Sequence, residues 1–242
     1  MSSRLVLRAP AKINLGLTVL GKRADGFHEI ETIMQQITLA DYLSFEPLKD
    51  KTIRLVSTVP DLENEENLVY RAARLLQARA ASETILPGVK ITLYKNIPIA
   101  AGLAGGSSDA ACALKGLNNF WQLGLTKEKL MQIGAELGSD IPFCLKGGTC
   151  LARGRGEILE ALPKLPFFWV VLALPPGMQI STAEAYANFN RQLMGKPVLS
   201  PLIEAVRRRD QQGLLQWLET GFVNTLETAE LPAAKELRGL KN

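Results

Sequence analysis

Cysteine is scarce in this sequence: Cys112, Cys144 and Cys150 are the only three, and no two form a Cys-x-x-Cys pair. An odd, unpaired set excludes a disulfide framework and a zinc ribbon, and it fits a reducing compartment. Histidine occurs once, at His28, so a histidine metal cluster or a Ser-His-Asp triad would have to rest on that single ring. No apolar run reaches membrane length. The longest, residues 167–174 (FFWVVLAL), has the length of a buried strand. The amino-terminal MSSRLVLRAPAKIN lacks a signal-peptide apolar core, so a cytoplasmic protein without membrane contact is expected. Charge is not blocky either. The formal excess is +4, and the one basic run, residues 207–209, is broken by Asp210 and reads as a solvated helix face. Aromatics make up 6% of the chain, with no aromatic–basic string of the kind that reads RNA. The glycine-rich stretch PIAAGLAGGSSDAA, residues 98–111, has no lysine before its serines, which excludes a Walker A loop.

What is present is an ordinary globular composition, 47% hydrophobic and 21% charged, long enough for one large or two small domains. Residues 4–8 and 13–20 read as strands, 30–46 as two apolar stretches around Asp41, and 52–57 and 89–95 as further strands. Helical spacing covers 66–80. It returns after the glycine stretch at Ala110, Leu114, Leu117 and Trp121, where Ser107, Ser108 and Asp109 are expected at the N-cap and first turn. A helix over 126–137 has Thr126 as its expected N-cap and Gly138 as its end. Segments 201–208 and 212–220 also read as helices. The texture changes near residue 160, which sets the expected division into domains 1–160 and 161–242.

Four features carry chemistry. A glycine loop between a strand and a helix suits phosphate, because helix N-termini offer N–H groups and a partial positive charge; a close helix–strand crossing is the other reading. Lys12 and Asn14 share one face of a strand by parity, either as a functional pair or as an edge lysine pointing to water. Phe27 and His28 follow the turn Ala24-Asp25-Gly26, a pairing that suits a flat ring if it is more than an incidental loop. Asp140, before Ile-Pro, is either a helix N-cap or a general base able to take a hydroxyl proton in phosphoryl transfer.

The ordered segments PAKINLGL, RADGFHEIET, PIAAGLAGGSSDAA and GSDIPFCLKGG together resemble the GHMP kinase superfamily, and within it the kinases of a cytidine-diphosphate sugar alcohol; the resemblance spans roughly residues 5–190. It implies an α+β fold of two domains, the first like ribosomal protein S5 domain 2 and the second ferredoxin-like. It implies ATP and Mg²⁺ as cofactors, with Ser108 as a metal ligand. By the same resemblance Asp140 takes the proton of the substrate hydroxyl, and Lys12 stabilises the developing alkoxide. The ATP loop is Pro98, Ile99, Ala100, Ala101, Gly102, Leu103, Ala104, Gly105, Gly106, Ser107 and Ser108, with Asn67 and Lys95 on the adenine side. Asn14, Phe27, His28, Thr182 and Tyr186 match substrate positions, His28 toward the cytosine edge and Tyr186 stacking on the ring. The partner implied is a small cytidine-diphosphate substrate rather than a nucleic acid, although an S5-like fold at pI about 9.0 has RNA binding as its alternative.

Two departures accompany the resemblance. Phe27 stands where these kinases often have Tyr. The third glycine- and serine-rich motif is not found before Asn242, so the second domain is expected to be incomplete and to expose apolar surface.

Overall fold

A computed structural model describes residues 5–80, 86–174, 182–189, 192, 198–221 and 223–229. It is an α+β chain in which two very long strands, β1 (Leu5–Lys22) and β2 (His28–Leu48), pair with each other. Each replaces two expected segments. Pro10 does not interrupt β1, and Asp41 lies fully buried within β2.

The chain divides into two compact units that are discontinuous in sequence: Met1–Lys12, Gln36–Ile99 and Leu103–Gly147 form the first, and Ile13–Gln35, Ala100–Gly102 and Gly148–Asn242 the second. The chain therefore crosses between them several times, the last time at Gly147–Gly148 rather than near residue 160.

In the first unit β4 (Gly88–Tyr94) lies between β2, to which it is antiparallel, and β3 (Ile53–Ser57), to which it is parallel. Helices α1 (Leu68–Ala80), α2 (Gly105–Phe120), α3 (Lys127–Leu137) and α4 (Ile141–Lys146) supply the other side of its core. Val69, Leu76, Leu114, Leu117 and Ile133 pack with Leu43, Phe45, Ile91 and Leu93. Gly116 is required by this packing, because a Cβ there would sit 2.3 Å from Cζ of Phe45. Thr126 caps α3 by accepting the N–H of Lys129 at 3.2 Å, and Gly138 follows its last residue, as the sequence predicts.

In the second unit β5 (Thr149–Arg153) pairs antiparallel with β2 and with β6 (Ile158–Ala161). Its core joins Leu15, Ile33 and Leu151 to Leu199, Leu202, Val206 and Trp217. Leu202 and Val206 belong to α6 (Ser200–Arg208), and Trp217 opens the π-helical turn Trp217–Gly221 into which α7 (Gln211–Gln216) passes. Helix α5 (Thr182–Asn188) packs Ala185 and Phe189 near Val19 and Ile30.

The expected buried strand at 167–174 is not a strand. Phe167, Trp169 and Val171 are 80%, 87% and 91% exposed. An apolar run supplies side chains for a sheet but not the neighbouring backbone that a strand must pair with. Among the described residues no strand lies beside it.

Candidate active site

The glycine loop ends in a helix that starts earlier than its serines suggest. Helix α2 begins at Gly105, and its N-cap is Ala104, a left-handed residue at φ 55° whose side chain caps nothing. Ser107 and Ser108 therefore lie inside the first turn. Positive φ recurs at Ala100 (56°), Gly102 (73°) and Ala104 (55°). Two alanines held in that region are strained, and strain of this kind gathers at ligand-binding backbone. Alternating backbone handedness before an uncapped helix start turns N–H groups toward a common anion. Two bonds hang this turn on β1: the N–H of Lys12 donates to Leu103 O at 3.1 Å, and Ser108 Oγ donates to Pro10 O at 2.7 Å.

The second bond bears on one expectation. Ser108 is buried and its hydroxyl proton is committed to the Pro10 carbonyl, which leaves only its oxygen lone pairs for a metal. Among the described residues no group of three His, Cys, Asp or Glu side chains is arranged to hold a metal. Ser107, half-buried one position earlier, is the serine with access to a phosphate.

Lys12 is almost fully buried, and its ammonium lies 3.7 Å from Oδ2 of Asp140. Asp140 occupies the N-cap position of α4 but makes no capping hydrogen bond; its side chain, 30% exposed, turns to Lys12 instead. The helix-cap reading of Asp140 thus fails. At 3.7 Å the pair is an ion pair and not a tight hydrogen bond, which leaves the carboxylate capacity to accept from a third group. Cys144, on α4, has its thiol pushed up by burial and by the nearby Asp140 charge. It is therefore no nucleophile at neutral pH.

Asn67 and Lys95 do not present their side-chain polar groups as expected. Asn67 is the N-cap of α1: its Oδ1 accepts the N–H of Val69 at 2.8 Å, and its amide donates to Leu62 O at 2.9 Å. Lys95 is buried between Asp41 and Asp109, with Nζ 2.8 Å from Asp109 Oδ2. Burial would lower its pKa, but the two carboxylates hold it above the ordinary lysine value. Asp41 also accepts the N–H groups of Asn96 (2.5 Å) and Ile97 (2.8 Å). Asp109 pairs with Lys95, and its Oδ1 is buried without a partner among the described residues. In the sequence Asp109 reads as a helix-start residue; the one sign of this cluster there is a pair of aspartates at strand and helix positions where charge is normally excluded.

In the second unit the turn over residues 23–27 presents Phe27, 55% exposed. Arg23 N–H donates to Phe27 O at 2.8 Å, and Phe27 N–H to Asp25 Oδ1 at 3.1 Å. His28 stacks on Tyr186 (centroids 5.3 Å apart, planes 15°) and meets Phe189 edge-on at 5.6 Å. Tyr186 is thus already stacked, on His28 rather than on an open face, and Phe189 is an aromatic that the sequence reading did not include. Thr182 opens α5; its side chain lies outside the described residues. Asn14, on β1, keeps Oδ1 buried with no partner among the described residues.

The GHMP kinases N terminal domain matches residues 67–148, a span that holds the glycine loop, α2 and Asp140. A 4-diphosphocytidyl-2-C-methyl-D-erythritol kinase of Geobacillus sp. (strain WCH70) is 44% identical over 98% of this chain and 80% of its own length. A kinase of the same name from Bacillus cytotoxicus is 48% identical over 87% of this chain and 72% of its own. The chain belongs to the GHMP kinases. A crystal structure of 4-(cytidine 5'-diphospho)-2C-methyl-D-erythritol kinase superposes with a TM-score of 0.73 at 35% identity, covering 97% of this GHMP kinase and 81% of that chain. The fold is accordingly the α+β GHMP kinase fold. Among the described residues no helix is long and apolar enough to cross a membrane.

Proposed function

We propose that this GHMP kinase transfers the γ-phosphoryl group of ATP to the 2-hydroxyl of 4-(cytidine 5'-diphospho)-2-C-methyl-D-erythritol, a step of non-mevalonate isoprenoid synthesis. The observation that carries the chemistry is the pair of buried Lys12 and partly exposed Asp140, in which Asp140 gives up its helix cap for the lysine. Asp140 accepts the hydroxyl proton as the oxygen attacks phosphorus, and ADP leaves. Lys12 stabilises the charge that develops on that oxygen. The uncapped start of α2, with the loop before it and Ser107, holds the ATP phosphates. Asn67 and Lys95 support this turn and the adenine side through the backbone they fix rather than through their own polar groups. The names and close identity of the relatives support the choice of substrate.

Asn14, Phe27, His28, Thr182 and Tyr186 receive the cytidine-diphosphate substrate in this reading. We assign Mg²⁺ no residue of this chain; it would accompany the nucleotide phosphates. The first unit, with most of the glycine loop, Lys12 and Asp140, is proposed as the ATP-binding part and the second, with Asn14, Phe27, His28 and Tyr186, as the substrate side, in a cytoplasmic enzyme that acts on a small molecule and not on nucleic acid.

The test is transfer from γ-labelled ATP to the cytidyl substrate, mevalonate and homoserine in parallel. The cytidyl alcohol is expected to be labelled and the other two not. Asp140→Asn is expected to lower kcat by about 10²–10⁴-fold while ATP binding is kept. Labelling of another alcohol instead, or full kcat in Asp140→Asn, refutes the reading.

A further inference from the structure

The guanidinium of Arg155 lies over the ring of Phe27, its Cζ 4.8 Å from the ring centroid. Nothing in the sequence pairs these residues, and two sets of bonds hold them in place. Arg155 sits on the turn between β5 and β6, with Gly154 and Gly156 at φ 71° and 112°. Its N–H donates to Glu157 Oε2 at 2.6 Å, and Nε lies 3.8 Å from Oε1 of the same residue. The Phe27 turn is tied to this one through Gly154. The N–H of Gly154 donates to Glu29 Oε1 at 3.0 Å, and its carbonyl accepts the N–H of Ile30 at 2.8 Å. Glu29 Oε2 in turn takes Nη1 of Arg23 at 2.6 Å, while Arg23 Nε reaches Asp25 at 3.2 Å. The arginine–aromatic contact is therefore built from both sides and is not a passing surface encounter.

We infer that Arg155 is a positioning residue for the substrate's base, acting through Phe27. This rests on the reading that Phe27 and His28 receive a pyrimidine nucleotide. A planar, delocalised cation on one face of a ring fixes the ring's plane and leaves the rest of the ring for a second flat partner. Phe27 has no hydroxyl to anchor it, so the anchor comes from the guanidinium. The ring stays more than half exposed although it is the apolar residue of a polar turn, as a docking platform must.

The experiment compares wild type with Arg155→Met, Arg155→Lys, Phe27→Ala and the Phe27→Ala/Arg155→Met double variant. Steady-state kinetics in both substrates and CDP binding by calorimetry are the readouts. Arg155→Met, which keeps length and loses charge, is expected to raise KM for the cytidyl substrate and Kd for CDP about tenfold, with kcat and KM for ATP within about twofold of wild type. Arg155→Lys keeps a cation over the ring and is expected to recover to within about threefold of wild type. Because Arg155 acts through Phe27, the double variant should be no weaker than Phe27→Ala alone. If Arg155→Met matches wild type, or if the two losses multiply in the double variant, the inference falls while the proposed function stands. If wild type neither binds CDP nor phosphorylates the cytidyl alcohol, the proposed function falls first and takes this inference with it. Should Arg155→Met fail to fold, a loss of CDP affinity in a folded Arg155→Lys equal to that of Phe27→Ala overturns the inference by itself.

Discussion

Asp109 makes this protein's stability depend on pH in a calculable way. One ammonium, Lys95, faces two buried carboxylates. Asp41 also holds two backbone N–H groups, whereas Asp109 pairs with Lys95 and has a buried oxygen without a partner among the described residues. The surplus proton therefore belongs to Asp109. Burial is the largest influence there; Lys95 pulls the other way and the Asp41 charge adds to the rise, leaving Asp109 pushed up from 3.8 to about 7. In the unfolded chain the same carboxyl is ionised well below neutrality. A carboxyl raised on folding contributes stability that is fully present below its unfolded value and is lost as pH climbs through about 7.

Between pH 6 and 8.5 the folded protein releases about 0.9 of a proton that the unfolded chain no longer holds, a loss of about 1.4 kcal/mol. For a chain of this size that lowers Tm by about 3–6 °C. Asp109→Asn keeps an acceptor for Lys95, removes the titration and leaves the cluster neutral. Thermal melts of both proteins across this range, taken as a difference, cancel every other titration the two proteins share. The variant should lack the slope and exceed wild type in Tm at the alkaline end. Parallel curves would refute the assignment of the proton to Asp109.

Two other substitutions separate structural from catalytic roles. Ser108→Ala removes the bond to the Pro10 carbonyl and leaves Ser107 in place. It should cost about 1 kcal/mol in denaturant unfolding and leave kcat within about threefold, whereas loss of magnesium-dependent turnover would restore Ser108 as a ligand. Gly116→Ala puts a methyl 2.3 Å from Phe45 Cζ and should destabilise by about 1–3 kcal/mol in the same assay, since the ring belongs to a closed core; an unchanged midpoint would contradict the packing.

The parts of this protein legible in the sequence are those set within a few residues. Helix α3, with Thr126 and Gly138 at its ends, follows from local hydrogen bonding and apolar spacing alone. The same holds for α1 and for β4. The chemistry of the glycine loop is local too, since small residues before a helix make an anion seat wherever that helix goes. Its starting residue was not legible. Ala104 takes a left-handed conformation in a turn bonded to β1, from which the loop is far removed along the chain. Asp140 looked equally able to cap or to catalyse, and only the approach of Lys12 decided which partner it took. Asp41 and Asp109 look misplaced until Lys95 appears between them. Phe27 reads as a lone aromatic until Arg155 covers it. The run at 167–174 has the residues of a strand but no neighbouring strand among the described residues. Short-range periodicity and turn chemistry are thus determined by the sequence itself. The pairing of charges and the completion of sheets depend on which distant backbones meet, and that is decided only in the tertiary structure.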